Sequence, residues 1–173
     1  MFKKYIMIPL GGIGSRFKKN NYKKPKALIE VNGKPIIFWL IDNLKIINST
    51  TIIIPYNFNE YKDTYFENKL KKKYPNIDFK FYPIYKNTRG AVETIKLGID
   101  YLINDLIYYP VINIVKALEL NDNPILCIDS DNFYLNDIIT EWNGENKIFV
   151  FNDKKEEVES QLIDEGYEYE DEE

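Results

Sequence analysis

Residues 5–17 read Tyr5-Ile6-Met7-Ile8-Pro9-Leu10-Gly11-Gly12-Ile13-Gly14-Ser15-Arg16-Phe17, an apolar run that passes directly into a loop with three glycines. Such a run is typical of a buried strand, and glycines at its end let the backbone come close to a bulky ligand. Their N–H groups can hold phosphate oxygens. Arg16 and, ten residues later, Lys26 supply the positive charge that a phosphate needs. The stretch indicates nucleotide chemistry.

Predicted strands and helices alternate along the rest of the chain. We predict strands at 4–10, 51–55, 78–83, 125–129 and 147–151, a loop at 11–26 and an extended piece at 27–31. We predict helices from residue 35 to about 47, and at 59–73, 91–103, 110–120 and 136–142. This order predicts an α/β fold, a single Rossmann-like three-layer domain with a mostly parallel sheet and helices on both faces.

The carboxyl ends of the predicted strands collect the polar loops. Ligands bind at that edge of a parallel sheet, so we expect Gly11–Arg16, Thr88–Gly90 and Asp129–Asn132 to lie together. The apolar spacing also predicts which side chains of two helices face the core. These are Tyr65, Phe66 and Leu70 in the 59–73 helix, and Val92, Ile95, Ile99 and Leu102 in the 91–103 helix.

The composition limits the chemistry. The chain has 173 residues, no histidine and one cysteine, Cys127, which excludes imidazole bases, Cys/His zinc sites and internal disulfides. Its first apolar run is too short for a signal peptide or a membrane span, and we expect a cytoplasmic protein. We expect one domain at 1–151 and a solvated, acidic tail at 152–173, disordered or partly helical.

Charge is distributed unevenly along the chain. Ten of the 27 acidic residues lie in 156–173, where there is no Lys or Arg, so the rest of the chain is basic. A basic body suits an anionic ligand, and a general solubility effect is an equal alternative. Only two of the 23 basic residues are arginines, Arg16 and Arg89, and both lie beside glycines in predicted loops. Their planar donor groups favour contact with phosphate.

Asp129-Ser130-Asp131-Asn132 follows a predicted strand and offers two carboxylates. Asp131 and Asp129 could hold Mg²⁺, or Mn²⁺, that also touches phosphate oxygens. The same sequence is typical of a turn with a helix N-cap, and both interpretations can hold together.

Three motifs resemble the signature of sugar-1-phosphate nucleotidyltransferases. The sequence matches neither of two common phosphate-binding loops. The dinucleotide-binding motif needs a third Gly, and the Walker A motif needs Gly-Lys-Ser/Thr, and both are absent here. The resemblance covers about 4–103 and 124–135. It rests on Leu10-Gly11-Gly12-x-Gly14-Ser15-Arg16-Phe17 with Pro25-Lys26-Ala27-Leu28-Ile29 and Val31-x-Gly33-Lys34-Pro35, on Thr88-x-Gly90-Ala91-Val92-Glu93-Thr94, and on Asp129-Ser130-Asp131-Asn132-Phe133.

The resemblance implies a reaction in which a nucleoside monophosphate passes from a nucleoside triphosphate to a sugar 1-phosphate and pyrophosphate leaves. It implies that Arg16 binds the pyrophosphate, that Lys26 stabilises charge at the α-phosphate, and that Asp131, with Asp129, holds Mg²⁺. It further implies that the nucleotide lies on Leu10, Gly11, Gly12, Gly14, Ser15, Thr88 and Gly90. The nucleophile is already ionised, which agrees with a chain that lacks histidine.

Residues 104–120 resemble an insertion, and we expect the C-terminal, acceptor-binding part of the family to be largely missing from this sequence. Two alternatives therefore stand beside a transferase acting on a nucleoside triphosphate and a small phosphorylated acceptor. One is a nucleotide-binding protein without catalysis, such as a regulatory partner. The other is a glycosyltransferase that uses a nucleotide sugar. We expect neither a membrane nor a nucleic acid as partner, because the lysines are scattered along the chain.

Overall fold

The computed structural model describes residues 4–46, 50–107, 125–130, 137–142 and 144. The helix predicted at 110–120, the strand predicted at 147–151, the domain limit at 151 and the acidic tail lie outside these ranges. The strands are β1 (Lys4–Met7), β2 (Glu30–Val31), β3 (Lys34–Pro35), β4 (Thr50–Asn57), β5 (Asp78–Ile84) and β6 (Ile125–Cys127). The helices are α1 (Ser15–Lys19), α2 (Ile36–Asn43), α3 (Phe58–Tyr61), α4 (Phe66–Lys73), α5 (Ala91–Ile107) and α6 (Ile138–Glu141), with a 3₁₀ turn at Lys26–Leu28.

Four of the strands form one parallel sheet, in the order β5-β4-β1-β6. In that order β1 lies between β4 and β6, with Ile6 opposite Ile52 on one side and Leu126 on the other. The two short strands β2 and β3 form a separate antiparallel hairpin, whose turn places Asn32 and Gly33 at φ 51° and 74°. This positive-φ pair is the geometry that two-residue hairpin turns favour.

Alternation along the central strands produces two hydrophobic cores. Ile6 and Ile8 point to one face of the sheet and pack in a cluster with side chains of α2, α4 and α6. Met7 and Ile53 point to the other face and pack with Leu102 of α5. Because successive side chains of a strand face opposite ways, a run of consecutive apolar residues requires cover on both faces. The predicted α/β class, with a parallel sheet between helical layers, is confirmed.

The helix predicted at 59–73 is wrong as a single element, because the structure divides it into α3 and α4. The Asn57 side chain caps α3 by accepting a hydrogen bond from Asn59 N at 3.1 Å, and the Thr64 hydroxyl donates to Tyr61 O at 2.6 Å as that helix ends. Tyr65 then takes a left-handed conformation, φ 53°, and is 74% exposed instead of facing the core. Phe66 and Leu70 are buried as predicted.

Val92 is a second correction, because it is 81% exposed although the helical spacing placed it in the core. It lies in the first turn of α5, whose described buried apolar residue against the sheet is Leu102, with Ile95 and Ile99 packed beside it. Helical spacing alone does not show where the end of a helix passes beyond the sheet.

Local structure also departs from the predicted loop and extended segments before β2. The predicted loop at 11–26 contains the short helix α1, and part of the predicted extended piece at 27–31 is the 3₁₀ turn Lys26–Leu28. That turn buries Ala27 and Leu28 and carries Lys26 at its start. It therefore fixes a cationic side chain to the core.

Candidate active site

Three polar loops meet at the carboxyl ends of β1, β5 and β6 and enclose a cavity of about 440 Å³. We call it the first cavity. Because β1 and β6 are neighbours in the sheet but far apart in the chain, the strand order favours a ligand crevice at this edge of the sheet. The structure brings ten of the eleven predicted site residues into its wall: Leu10, Gly11, Gly12, Gly14, Ser15, Arg16, Lys26, Thr88, Gly90 and Asp129. The eleventh, Asp131, lies outside the described residues.

The glycine loop begins where β1 leaves the sheet. Leu10 is the last residue of this segment whose backbone bonds to the backbone of β4. The Leu10 N–H donates to Pro55 O at 2.8 Å, and the Leu10 carbonyl accepts from Asn57 N at 3.1 Å. Gly14 then takes φ 63°, a left-handed conformation that glycine adopts without the usual steric cost. This bend starts α1, whose second residue is Arg16.

The floor of the first cavity, which we define as Gly11, Thr88 and Thr94 with the buried Asn57 behind Gly11, is closely packed. A Cβ added to Gly11 would lie 2.8 Å from Thr88 Oγ1 and would collide with Thr94 Oγ1. The two threonine hydroxyls are 2.8 Å apart, and Thr94 also donates to Gly90 O at 3.1 Å. Only glycine fits at position 11, because the backbone of the first loop lies against the start of α5.

Asn57 is a residue that supports the site and that the sequence did not reveal. It is completely buried at the end of β4, where its amide donates to Asn87 Oδ1 at 2.9 Å and contacts Gly11 O at 3.5 Å. Because its Oδ1 also caps α3, one side chain ties together the glycine loop, the loop before Thr88 and a helix. A single asparagine after an apolar strand gives no sequence signal for this arrangement.

The rim of the first cavity is less closely packed than the floor. We define the rim as Gly12, Arg16, Lys26, Gly90 and Asp129. Side chains added at Gly12 or Gly90 would meet no atom within 4 Å. The fold therefore does not require glycine at these two positions. Close approach of a ligand to the backbone would supply the reason for it.

Lys26 is the better fixed of the two rim cations. It is half-buried, with its Nζ 5.8 Å from the centre of the Phe17 ring, whereas Arg16 is exposed. The next residue, Ala27, donates its N–H to the hydroxyl of Tyr61, which is buried in the cavity wall. Burial raises the pKa of Tyr61 well above its usual range, so this hydroxyl stays neutral. The hydrogen bond helps hold the turn that carries Lys26.

The second arginine, Arg89, pairs with a carboxylate in the first turn of α5. Arg89 donates from its backbone N and its Nε to Glu93 Oε2, at 2.8 and 3.3 Å, and Lys86 Nζ lies 3.4 Å from the same carboxylate. These contacts, the Arg89 backbone N–H first, hold the pKa of Glu93 below its usual value. Both arginines line the cavity, but Arg89 also fastens the start of α5.

Asp129 is the one carboxylate that lines the first cavity among the residues the structure describes. It is exposed, and its neighbour Ser130 is buried. The described ranges contain no group of three or more His, Cys, Asp or Glu side chains that could hold a metal by themselves. A single hard oxygen donor fits a divalent cation that takes most of its ligands from phosphates and water.

The fold is similar to that of one solved structure, the nucleoside-diphosphate-sugar pyrophosphorylase from Vibrio cholerae RC9. The TM-score is 0.51 at 21% sequence identity, and the match covers 88% of this chain and 52% of that one. This chain therefore spans about half the length of the structure it matches. No protein-family model and no curated protein matches the chain. The likeness establishes a shared fold with a nucleotide-sugar pyrophosphorylase.

Among the residues that the structure describes, no helix is both long enough and apolar enough to cross a bilayer.

Proposed function

We propose that this protein is a nucleotidyltransferase that binds a nucleoside triphosphate in the first cavity and transfers its nucleoside monophosphate to a small phosphorylated acceptor. A sugar 1-phosphate is the acceptor we favour. The observation that carries the proposal is the meeting of the glycine loop, Arg16, Lys26 and Asp129 at one end of a parallel sheet. The shared fold with a nucleoside-diphosphate-sugar pyrophosphorylase supports it.

The two ends of the cavity suggest how the triphosphate lies. Gly12 and Gly90 leave open space on either side, so a flat base and a ribose can approach the backbone there. Arg16 and Lys26 supply charge for the phosphates. We assign Arg16 to the departing pyrophosphate and Lys26 to the α-phosphate.

The reaction needs no base from the protein. An oxygen of the acceptor phosphate attacks the α-phosphorus in line, a new P–O bond forms, and the bond to the bridging oxygen breaks with release of pyrophosphate. The attacking oxygen is already ionised, so positioning and charge neutralisation are the protein's contribution. Lys26 is suited to this role because a half-buried cation interacts more strongly with developing charge than an exposed one.

Mg²⁺ would supply further charge neutralisation at the triphosphate. Asp129, which lines the first cavity, would hold it in part, and Asp131 follows two residues later in the sequence. The described donors fit this shared mode of binding, in which phosphate oxygens and water complete the coordination.

The proposal is tested by assaying pyrophosphate release from each of the four common nucleoside triphosphates with Mg²⁺ and a panel of sugar 1-phosphates and phosphocholine. We expect release with at least one pair, and its loss in Lys26→Ala. No release with any pair would overturn the transferase. Cleavage of a nucleotide sugar without a triphosphate would instead indicate the glycosyltransferase alternative.

A second candidate is a nucleotide-binding protein without catalysis, which would use the same glycine loop, Arg16 and Lys26 in the wall of the first cavity. Calorimetry separates the two candidates. Binding of a nucleoside triphosphate without turnover would favour this second function, and absence of any binding would contradict both.

A further inference from the structure

A second cavity, of about 750 Å³, lies on the other side of the turn that carries Lys26. Lys24, Pro25 and Leu28 line this second cavity, whereas Lys26 lines the first. One short turn, held by Leu28 N donating to Pro25 O at 2.8 Å, therefore forms part of the wall of both. The volume lies within the range of about 300–1,000 Å³ that is usual for small-molecule sites.

The lining of the second cavity is positively charged. Four lysines face it, Lys24, Lys69, Lys72 and Lys73, against two carboxylates, Glu30 and Asp63. Three of the lysines come from α4 or the residues that end it, so they lie along one side. Lys24 Nζ donates to Glu30 Oε1 at 2.6 Å, and this contact first, with Lys69 adding to it, holds the pKa of Glu30 below its usual value. Such a surface favours an anion.

An aromatic ring stands beside these charges. Tyr65 lines the cavity, is 74% exposed, and has φ 53°. A bulky side chain rarely takes this left-handed conformation, and strained residues of this kind concentrate at binding sites. The fold therefore presents an exposed ring at a cost in backbone energy, next to Phe38 and Leu28 in the same wall.

We infer that the second cavity binds a phosphate-bearing small molecule with a flat ring, its phosphate on Lys69 and Lys72 and its ring against Tyr65. Lysine ammonium groups provide charge-assisted hydrogen bonds to phosphate, and an aromatic side chain stacks on a ring of similar size. The site is distinct from the first cavity, so it does not depend on the proposed nucleotidyl transfer.

The test is a titration of the full chain with AMP, followed residue by residue through backbone amide NMR signals. We expect AMP to shift the signals of Tyr65 and Lys69, and Lys69→Gln/Lys72→Gln to weaken that binding by at least about tenfold. Lys62→Gln/Lys71→Gln is the matched control, since it removes two lysines of the same region that line neither cavity. Equal weakening in both double variants, or no shift at Tyr65 and Lys69, would overturn the proposal.

Arg16→Gln distinguishes binding in the two cavities when a nucleoside triphosphate replaces AMP as the probe, because Arg16 is assigned to the pyrophosphate part that AMP lacks. The variant should weaken the shifts at Gly12 and Gly14 and leave those at Tyr65 and Lys69 unchanged, so failure of the first site and failure of the second are distinguishable.

Tyr65→Asn tests the ring. Asparagine tolerates the left-handed conformation, so the variant should fold at least as stably as the original chain. With inorganic phosphate as the second probe, we expect the original chain to prefer AMP and the variant to lose most of that preference. An unchanged preference would show that Tyr65 does not contact the ring.

Discussion

The floor and the rim of the first cavity use the same residue type for opposite reasons. Gly11 in the floor has no room for a side chain, since Thr88 and Thr94 already occupy the space. Gly12 and Gly90 in the rim border open space. The difference teaches that the floor is set by the fold, whereas the rim is open for a ligand. Substitutions in the floor should change the free energy of unfolding, and those in the rim should change binding or turnover.

The largest effect is expected at Lys26. Lys26→Ala should lower the rate of pyrophosphate release by about 10²–10³-fold, the usual cost of removing one group that stabilises transition-state charge. Its melting temperature should change little, because the half-buried ammonium is not part of the core. Lys23→Ala, an exposed neighbour outside both cavities, is the control. Equal losses in the two variants would remove Lys26 from the site.

Gly11→Ala should have the largest effect on stability. The added methyl group forces Thr88 and Thr94 apart, and overpacking of this kind costs about 1–3 kcal/mol in the free energy of unfolding. Urea denaturation measures the difference. An unchanged midpoint would mean that the floor yields easily and is not rigid as described.

Gly12→Ala should show the reverse behaviour. Its free energy of unfolding should stay within about 0.5 kcal/mol of the original, since the methyl group enters open space. Affinity for the nucleoside triphosphate should fall by about tenfold, because a Cβ keeps the ligand off the backbone. Calorimetric titration measures the affinity, and retention of full affinity would place the ligand elsewhere.

The smallest effect is expected at Glu93, which fastens Arg89. Its pKa is lowered in the folded state, so its contribution to stability is present above its ordinary pKa and is lost as the pH falls through the lowered value. Glu93→Gln should lower the melting temperature slightly at neutral pH. The two curves should converge in acid, once the pH has fallen below the lowered pKa of Glu93. A difference that persists unchanged in acid would contradict the assignment.

Much of the fold could be predicted because the apolar runs of the strands and the apolar spacing of the helices are both strong in this chain. Consecutive apolar residues in β1 and β4 required cover on both faces, and the structure supplies α2 and α4 on one side and α5 on the other. Tyr65 and Val92 could not be predicted, since helical spacing does not report a break in a helix or the point at which it leaves the sheet.

The loops of the site were predictable and their attachments were not. Glycines, an arginine and a Pro-Lys pair mark the rim in sequence, and the ends of parallel strands bring them together. Asn57 holds the floor through its hydrogen bond to Asn87, 30 positions away in the chain. Thr94 holds it by packing on Gly11. No local sequence pattern predicts either contact. The second cavity was missed because its lysines look like an ordinary solvated helix face.

The most direct test is a calorimetric titration with each common nucleoside triphosphate and Mg²⁺, on the original chain, Arg16→Gln and the control Lys19→Gln. Lys19 ends α1 and lines neither cavity. We predict binding of at least one triphosphate, weakened in Arg16→Gln and unchanged in Lys19→Gln. Absence of binding to all of them, or equal weakening in the two variants, would contradict a nucleotide site in the first cavity.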